Sequence, residues 1–318
     1  MSEITLLFVD DEERILRSLA PLFRGRYRVL TTTDAREALA ILLREQVHVI
    51  ISDQRMPLML GAELLRKARE ISPSTMRILL TGYSDIEAAI AAVNDGEIFR
   101  YLSKPWNAQS LKDTVAEAAE IALHSNAAVT PPIELASTQS AAAINVLVID
   151  DDVSTAHTLK DIARDACGGE CELHWVNNLD EATELLGREN IGLVITELNV
   201  DGEDATTTIK TLKRYQPNVV TVVVTGYRDN VALIELINQG QIYRFLPKPV
   251  SRGLFGRSIQ SALHHHRRLR AAPQLHRRHS VQPSVQERDN TLPTRLRGFI
   301  DRIRKRPEEQ PAPALGGE

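Results

Sequence analysis

The stretch ILLTGYSDI at residues 78–86 recurs as VVVTGYRDN at residues 222–230. Aligned without gaps, residues 81–106 and 225–250 agree at 13 of 26 positions, including an Asn-x-Gly step and a Lys-Pro pair. The aliphatic and β-branched run before each TGY predicts a buried strand. One structural unit therefore occurs twice in this chain of 318 residues, which is long enough for two domains with cores of their own.

Short apolar runs alternate with segments of helical periodicity around both repeated stretches. The first copy has such runs at Thr5–Val9 and Val47–Ile51, and the second has them at Asn145–Ile149 and Val219–Val224. Strands that alternate with helices predict a parallel sheet covered by helices on both faces. Ligands of open α/β sheets bind just beyond the carboxyl ends of the strands, so this edge is the place to look for a site.

Changes in amino-acid composition along the chain predict where the two copies begin and end. The first copy is predicted at residues 1–124 and the second at 144–270, joined by a linker at 125–143 that is rich in Ala, Ser, Thr and Pro. Residues 271–318 contain several prolines and few apolar residues. They predict a mostly disordered tail with one short amphipathic helix at about 294–306.

The tail is basic although the whole chain has a formal net charge of −4. Residues 264–306 hold twelve Lys or Arg against three Asp or Glu, a segregation typical of interaction segments. We expect the apolar face of the predicted helix to dock on a protein partner, and we rank an anionic membrane second and nucleic acid third. The alternative is a tail that stays solvated and docks on nothing. The residues assigned to this contact are Leu296, Phe299, Ile300, Ile303, Arg302 and Arg304.

Other features narrow the class of protein. The chain has only two cysteines, and its first apolar run is short and ends in acidic residues, which predicts a reducing cytoplasm and no signal peptide. No apolar run approaches the length of about 20 residues that a membrane span needs. The absence of GxGxxG and Walker loops argues against a dinucleotide-binding or ATPase fold.

Acidic residues of the first copy fall at predicted strand ends. Asp10 and Asp11 follow FV, and Asp53 follows VIIS, while two further strand ends supply the hydroxyl of Thr81 and the amine of Lys104. Grouped carboxylates repel one another unless a cation neutralises them, and Mg²⁺ suits a site that leaves room for water and phosphate. The lysine and the threonine would contact a transferred phosphoryl group.

The motifs FVDDE, IISDQRMP, LLTGY and RYLSKP together resemble those of bacterial two-component response-regulator receiver domains, across residues 3–124. For each copy, the resemblance implies a flavodoxin-like, doubly wound (βα)5 domain with a five-stranded parallel sheet of order 2-1-3-4-5. It implies that Asp53 accepts a phosphoryl group from a sensor histidine kinase or a histidine phosphotransfer protein. It also implies roles for the other site residues. The Mg²⁺ ligands would be Asp10, Asp11, Asp53 and the backbone carbonyl of Arg55. Lys104 would contact the phosphoryl group, and Thr81 and Tyr101 would form the switch pair.

The second copy departs from this pattern at one position. It keeps Asp150, Asp151, Thr225, Phe245 and Lys248, but Glu197 stands where the first copy has the acceptor aspartate. A glutamate carboxylate reaches about 1.5 Å further, and a displacement near 1 Å can slow a positioned reaction about a hundredfold. The second copy is therefore predicted to be a pseudo-receiver. Its glutamate either reaches the lysine and imitates a phosphorylated state, or belongs to a degenerate packing partner.

Together these features predict a cytoplasmic tandem response regulator that is no enzyme beyond receiver self-phosphorylation and autodephosphorylation. Phosphorylation of Asp53 would draw Thr81 and Tyr101 inward and alter the surface formed by the fourth and fifth helices. The output would be a downstream protein partner or a homodimer. Two alternatives stay open: a transcriptional regulator whose basic tail binds DNA, and a phosphorelay or phosphate-sink module without an output of its own.

Overall fold

Strands and helices alternate through the first copy. The computed structural model describes residues 4–82, 90, 92–94, 98–126, 143–226, 230–240, 242–271 and 292–305. The elements of the first copy are β1 (Thr5–Val9), α1 (Glu13–Leu19), a 3₁₀ turn (Ala20–Leu22), β2 (Arg28–Thr32), α2 (Ala35–Arg44), β3 (Val49–Asp53), α3 (Gly61–Ile71), β4 (Met76–Gly82), β5 (Arg100–Lys104) and α4 (Ala108–Asn126).

The second copy repeats this order and adds a small hairpin and a terminal helix. Its elements are β6 (Ile144–Ile149), α5 (Val153–Cys167), β7 (Cys171–Val176), α6 (Leu179–Arg188), β8 (Ile191–Thr196), the hairpin β9 (Asn199–Val200) and β10 (Glu203–Asp204), α7 (Thr206–Tyr215), β11 (Val220–Thr225), α8 (Asn230–Glu235) with a π-helical turn (Leu236–Gly240), β12 (Arg244–Pro247), α9 (Arg252–Ala271) and α10 (Thr294–Arg304).

Each copy contains one five-stranded parallel sheet. The first sheet has the order β2-β1-β3-β4-β5, and the second has the equivalent order β7-β6-β8-β11-β12. These sheets and their flanking helices confirm the predicted fold class of two flavodoxin-like domains. In both sheets the last strand, β5 or β12, lies at an edge.

Both faces of each sheet are buried, which explains why the strands read as continuous apolar runs. All five residues of β1 are buried. Leu6 and Phe8 face one apolar cluster, and Leu7 and Val9 face another, because successive side chains of a strand point to opposite faces. Helices on both sides of the sheet therefore fix the positions of the strand ends.

The predicted boundaries fall close to helix ends. Helix α4 reaches Asn126, two residues past the predicted end of the first copy, and α9 reaches Ala271. The remaining linker residues, 127–142, lie outside the described residues, as do 272–291 and 306–318 of the tail, for which disorder was predicted. No helix in the described ranges is long and apolar enough to cross a membrane.

The tail helix α10 packs against α6 and α7 of the second copy. Leu296, Phe299 and Ile300 are buried there, and Ile303 is partly buried against the same cluster. The prediction that this apolar face docks on a separate partner is therefore corrected, because the chain's own second copy occupies it. An apolar stripe shows that a helix buries one face, and either surface could have covered it.

The two arginines assigned to the same contact also lie against the second copy. The Arg302 side chain crosses the backbone at Gly187, and the guanidinium of Arg304 lies 5.7 Å from the ring centre of Tyr215. Both residues remain exposed on their other side.

Candidate functional site

Three predicted site residues from three strands meet at the carboxyl edge of the first sheet. Asp10 follows β1, Asp53 ends β3 and Lys104 ends β5. The lysine Nζ lies 2.9 Å from Asp10 Oδ2 and also forms an ion pair with Asp53 Oδ1. One ammonium group therefore bridges two carboxylates that are 43 residues apart in sequence.

Backbone amides fix the orientation of both carboxylates. Asp10 Oδ1 accepts a hydrogen bond from the Glu12 amide at 2.9 Å, and Asp53 Oδ2 accepts one from the Arg55 amide at 2.6 Å. The two aspartates are 2% and 6% exposed, whereas Asp11 is exposed at the rim. The buried pair is thus held in place, and the third acid faces solvent.

Burial and the contacts between Lys104 and the two carboxylates have opposite effects on the pKa values of this site. Burial raises the pKa of Asp10, and the hydrogen bonds from Lys104 and the Glu12 amide only partly offset it. Burial alone would lower the pKa of Lys104, but its contacts with Asp10 and Asp53 outweigh that effect and raise it. The lysine therefore carries its charge at neutral pH.

The donor set suits a magnesium ion. Asp10 and Asp53 bring two carboxylates against the single charge of Lys104, which leaves an excess of one negative charge for a hard cation, and the exposed Asp11 is the next residue after Asp10. In the part of the chain that the structure describes, no three His, Cys, Asp or Glu side chains are arranged to hold a metal by themselves. Mg²⁺ is compatible with such a partial set, because it usually keeps several waters.

The predicted switch pair is buried beside the site. Thr81, in β4, and Tyr101, in β5, are each 1% exposed. The tyrosine hydroxyl donates to the carbonyl oxygen of Gly82 at 3.1 Å, so the ring lies inward across the end of β4.

The sequence interpretation missed two residues, Gly61 and Gln54, that shape the loop after Asp53. Gly61 begins α3, and a methyl group at this position would lie 2.0 Å from the carbonyl oxygen of Asp53. The amides of Gly61 and Ala62 donate to the backbone and side-chain oxygens of Gln54, at 3.0 and 2.9 Å. The available signal was a glycine in the loop after β3, which can mark a close backbone approach.

The second copy assembles the same kind of site around a glutamate. Lys248 Nζ lies 2.8 Å from Asp150 Oδ2 and 2.9 Å from Glu197 Oε2. Burial raises the pKa of Asp150 against the opposing effect of the lysine, whose own pKa is raised by its two carboxylate contacts despite burial. Thr225 and Phe245 are buried at the positions that correspond to the switch pair.

Asp150 accepts from the amide two residues on, as Asp10 does, but Glu197 makes a different backbone contact from Asp53. Glu197 Oε1 accepts from the amide of the next residue, Leu198, at 2.6 Å, whereas Asp53 contacts the amide two residues on. Asp151 Oδ2 accepts from the Asp201 amide at 3.1 Å. The longer side chain thus folds back on its own strand end and still reaches the lysine.

One family model matches both copies of the chain, and known proteins match part of it. The family model described as "Response regulator receiver domain" matches residues 6–116 and 146–260, well over half of the chain. The "Hydrogenase transcriptional regulatory protein HoxA" of Cupriavidus necator is 46% identical over 118 residues, which cover 37% of this chain and 24% of that protein. The "Transcriptional regulatory protein GlrR" of Escherichia coli is 36% identical over 116 residues, 36% of this chain and 26% of that protein.

The chain spans about a quarter of the length of these curated relatives. Among solved structures, the signal receiver domain of an HD domain-containing protein from Pseudomonas fluorescens Pf-5 is 37% identical, covering 41% of this chain and 96% of that one with a TM-score of 0.40. The chain therefore belongs to the response regulator receiver domain family and carries two such domains in tandem.

Proposed function

We propose that Asp53 is the phosphoacceptor of a two-component pathway and that only the first copy takes up a phosphoryl group. The observation that carries this proposal is the ammonium group of Lys104, which joins the buried carboxylates of Asp10 and Asp53 at the carboxyl edge of the sheet. A cation held there can neutralise the charge of an incoming phosphoryl group.

In the proposed reaction a carboxylate oxygen of Asp53 attacks the phosphorus of a phosphohistidine. An acyl-phosphate bond forms, the phosphorus–nitrogen bond breaks, and the leaving imidazole takes up a proton. Lys104 balances charge on the phosphoryl oxygens, and the Thr81 hydroxyl lies on the neighbouring strand end to bond with one of them. Asp10, Asp11, Asp53 and the backbone carbonyl of Arg55 would hold Mg²⁺, which supplies further positive charge for the phosphoryl oxygens.

The phosphoryl donor in this proposal is a sensor histidine kinase or a histidine phosphotransfer protein. The chain acts as an acceptor, with no catalytic activity beyond its own phosphorylation and dephosphorylation. The curated relatives are described as transcriptional regulators, but the match covers about a quarter of their length. The proposal therefore concerns phosphoryl-controlled signalling and takes no DNA-binding role from them.

The second copy is proposed to be silent in this chemistry. Glu197 and Asp53 both have their two carboxylate oxygens engaged, by the site lysine and by a backbone amide, so the difference between the copies lies in the length of the side chain. The extra methylene places the carboxylate group differently from that of Asp53, and a misplacement near 1 Å lowers the rate of a positioned reaction by about a hundredfold.

Acetyl phosphate provides the direct test. The full chain, the Asp53→Ala variant and the matched Glu197→Ala variant are incubated with acetyl phosphate and Mg²⁺, and intact mass is measured over time. We expect one phosphoryl adduct in the wild type and in E197A, and none in D53A. An adduct that survives D53A but disappears in E197A would reverse the assignment of the two copies.

A further inference from the structure

The edge strands of the two sheets are joined by a reciprocal pair of asparagine contacts. Asn238 Oδ1 accepts from the Tyr101 amide and its Nδ2 donates to the Tyr101 carbonyl, both at 2.9 Å. Asn94 makes the same two bonds with the backbone of Phe245, both at 2.8 Å. A side-chain carboxamide has one N–H donor group and one C=O acceptor, like a peptide unit. Each asparagine therefore makes the two backbone hydrogen bonds that a neighbouring strand would make with the edge strand.

These contacts come from equivalent parts of the two copies. Asn94 and Asn238 occupy matching positions of the repeat, each in a helical turn shortly before the last strand of its sheet. Their targets, Tyr101 and Phe245, also match, as the aromatic residues three positions before the site lysines. The two copies therefore hold each other by the same pair of bonds in both directions.

Apolar side chains enclose the contacts. Val93 of the first copy and Leu236 and Ile237 of the second are 5%, 0% and 4% exposed, and they belong to one cluster that also contains Tyr101 and Phe245. Hydrogen bonds in such surroundings are stronger than in water, and an unpaired backbone group is correspondingly costly. The backbone of β5 at Tyr101 is thus fixed by a residue of the second copy.

The same strand carries the lysine of the phosphoryl site. Lys104 follows Tyr101 by three residues in β5, and the tyrosine hydroxyl bonds to the carbonyl of Gly82, next to Thr81. Movement of β5 away from its neighbour would displace the lysine from Asp10 and Asp53. Resting on the proposed function, we infer that Asn238 is a positioning residue for the phosphoryl site of the first copy.

This inference gives the pseudo-receiver a role at a distance from Glu197. The second copy holds β5 in the arrangement that directs Lys104 toward Asp53. By thermodynamic linkage, a phosphoryl group on Asp53 that favours this arrangement also favours contact between the two copies.

The chain offers a matched pair of variants for the test. Asn238→Ala removes both bonds to β5, whereas Asn94→Ala removes the equivalent two bonds to β12 and leaves the Asn238 contact in place. Initial rates of adduct formation with acetyl phosphate and Mg²⁺ are measured by intact mass in full-length protein. We expect N238A to be slower by about fivefold or more, the lower end of coupling between protein sites, and N94A to be slowed less, because it keeps the Asn238 bonds to β5.

Hydrogen exchange followed by mass spectrometry gives an independent readout of the strands. N238A should speed amide exchange in Arg100–Lys104, and N94A should speed it in Arg244–Pro247. Equal rates of adduct formation in wild type and N238A, or equal slowing in both variants, would overturn the positioning role while leaving Asp53 as the acceptor.

Failure of the proposed function gives a different result. If the wild type forms no adduct, the proposal for Asp53 fails with this donor, and exchange alone decides whether Asn238 holds the strand. Selective faster exchange of Arg100–Lys104 in N238A supports that role, and unchanged exchange there overturns it.

Discussion

Replacing Gly61 with alanine should displace Asp53, the proposed phosphoacceptor, without changing its side chain. The new methyl carbon would lie 2.0 Å from the carbonyl oxygen and 2.9 Å from the carbonyl carbon of Asp53, and 3.0 Å from the Cα of Gln54. Side-chain carbons essentially never approach other heavy atoms closer than 3.0 Å. The start of α3 and the end of β3 must therefore separate by at least about 1 Å, because a packed core cannot absorb the overlap.

The expected effect follows from that displacement. A shift of about 1 Å in a reacting group can cost about a hundredfold in rate, so the initial rate of adduct formation with acetyl phosphate should fall to roughly a hundredth of the wild-type value. Overpacking of this kind also destabilises a fold by about 1–3 kcal/mol. Urea unfolding measures the second effect on the same preparations.

The matched control is Gly25→Ala, because a methyl group there would meet no atom within 4 Å. This variant should keep the wild-type rate and stability. A Gly61→Ala protein that is phosphorylated at the wild-type rate and unfolds at the wild-type urea concentration would refute the argument that close approach at Gly61 sets the position of Asp53.

Two further predictions concern the second copy. Phe299 is 1% exposed, and Phe299→Ala should weaken the docking of α10 by about 3–5 kcal/mol. Trypsin should therefore cut Thr294–Arg304 faster in this variant than in the control Asp301→Ala, whose substitution lies at an exposed position. Equal cleavage rates in the two variants would contradict the packing of α10. Burial lowers the pKa of Lys213 to about 7 from an ordinary 10.5, so the unfolded chain binds more protons between these pH values and stability should rise with pH across that window. The slope of the unfolding free energy should be at most about 1.4 kcal/mol per pH unit, and a Lys213→Met variant with the wild-type slope would show that the lysine contributes nothing to it.

The first site could be predicted because its parts obey a rule about sheets. Asp10, Asp53 and Lys104 each follow a recognisable strand, and the carboxyl ends of parallel strands meet at one edge. The departure at Glu197 was visible for the same reason, since the repeat aligns it with Asp53. The sequence left open whether this glutamate reaches Lys248, and the distance of 2.9 Å answers that question.

Contacts between parts of the fold were harder to predict. The amphipathic pattern identified Leu296 and Phe299 as the buried face of a helix, but periodicity carries no information about the surface that covers it. The asparagine contacts join a side chain to backbone groups 137 and 151 residues away, and no spacing rule reports such pairs. Gly61 was missed, because its close approach to Asp53 exists only in three dimensions.

The reciprocal asparagine contacts also limit how this chain can assemble. Two equivalent faces on one chain could in principle join successive molecules into an open filament, whereas an isologous pairing closes on itself. Here Asn94 and Asn238 complete such a pairing inside a single chain, and each bonds to the backbone of one residue in an edge strand, β12 or β5. This surface is therefore already occupied within one chain, so further molecules cannot add to it. A homodimer that used the same surface would first have to break the asparagine contacts between the two copies.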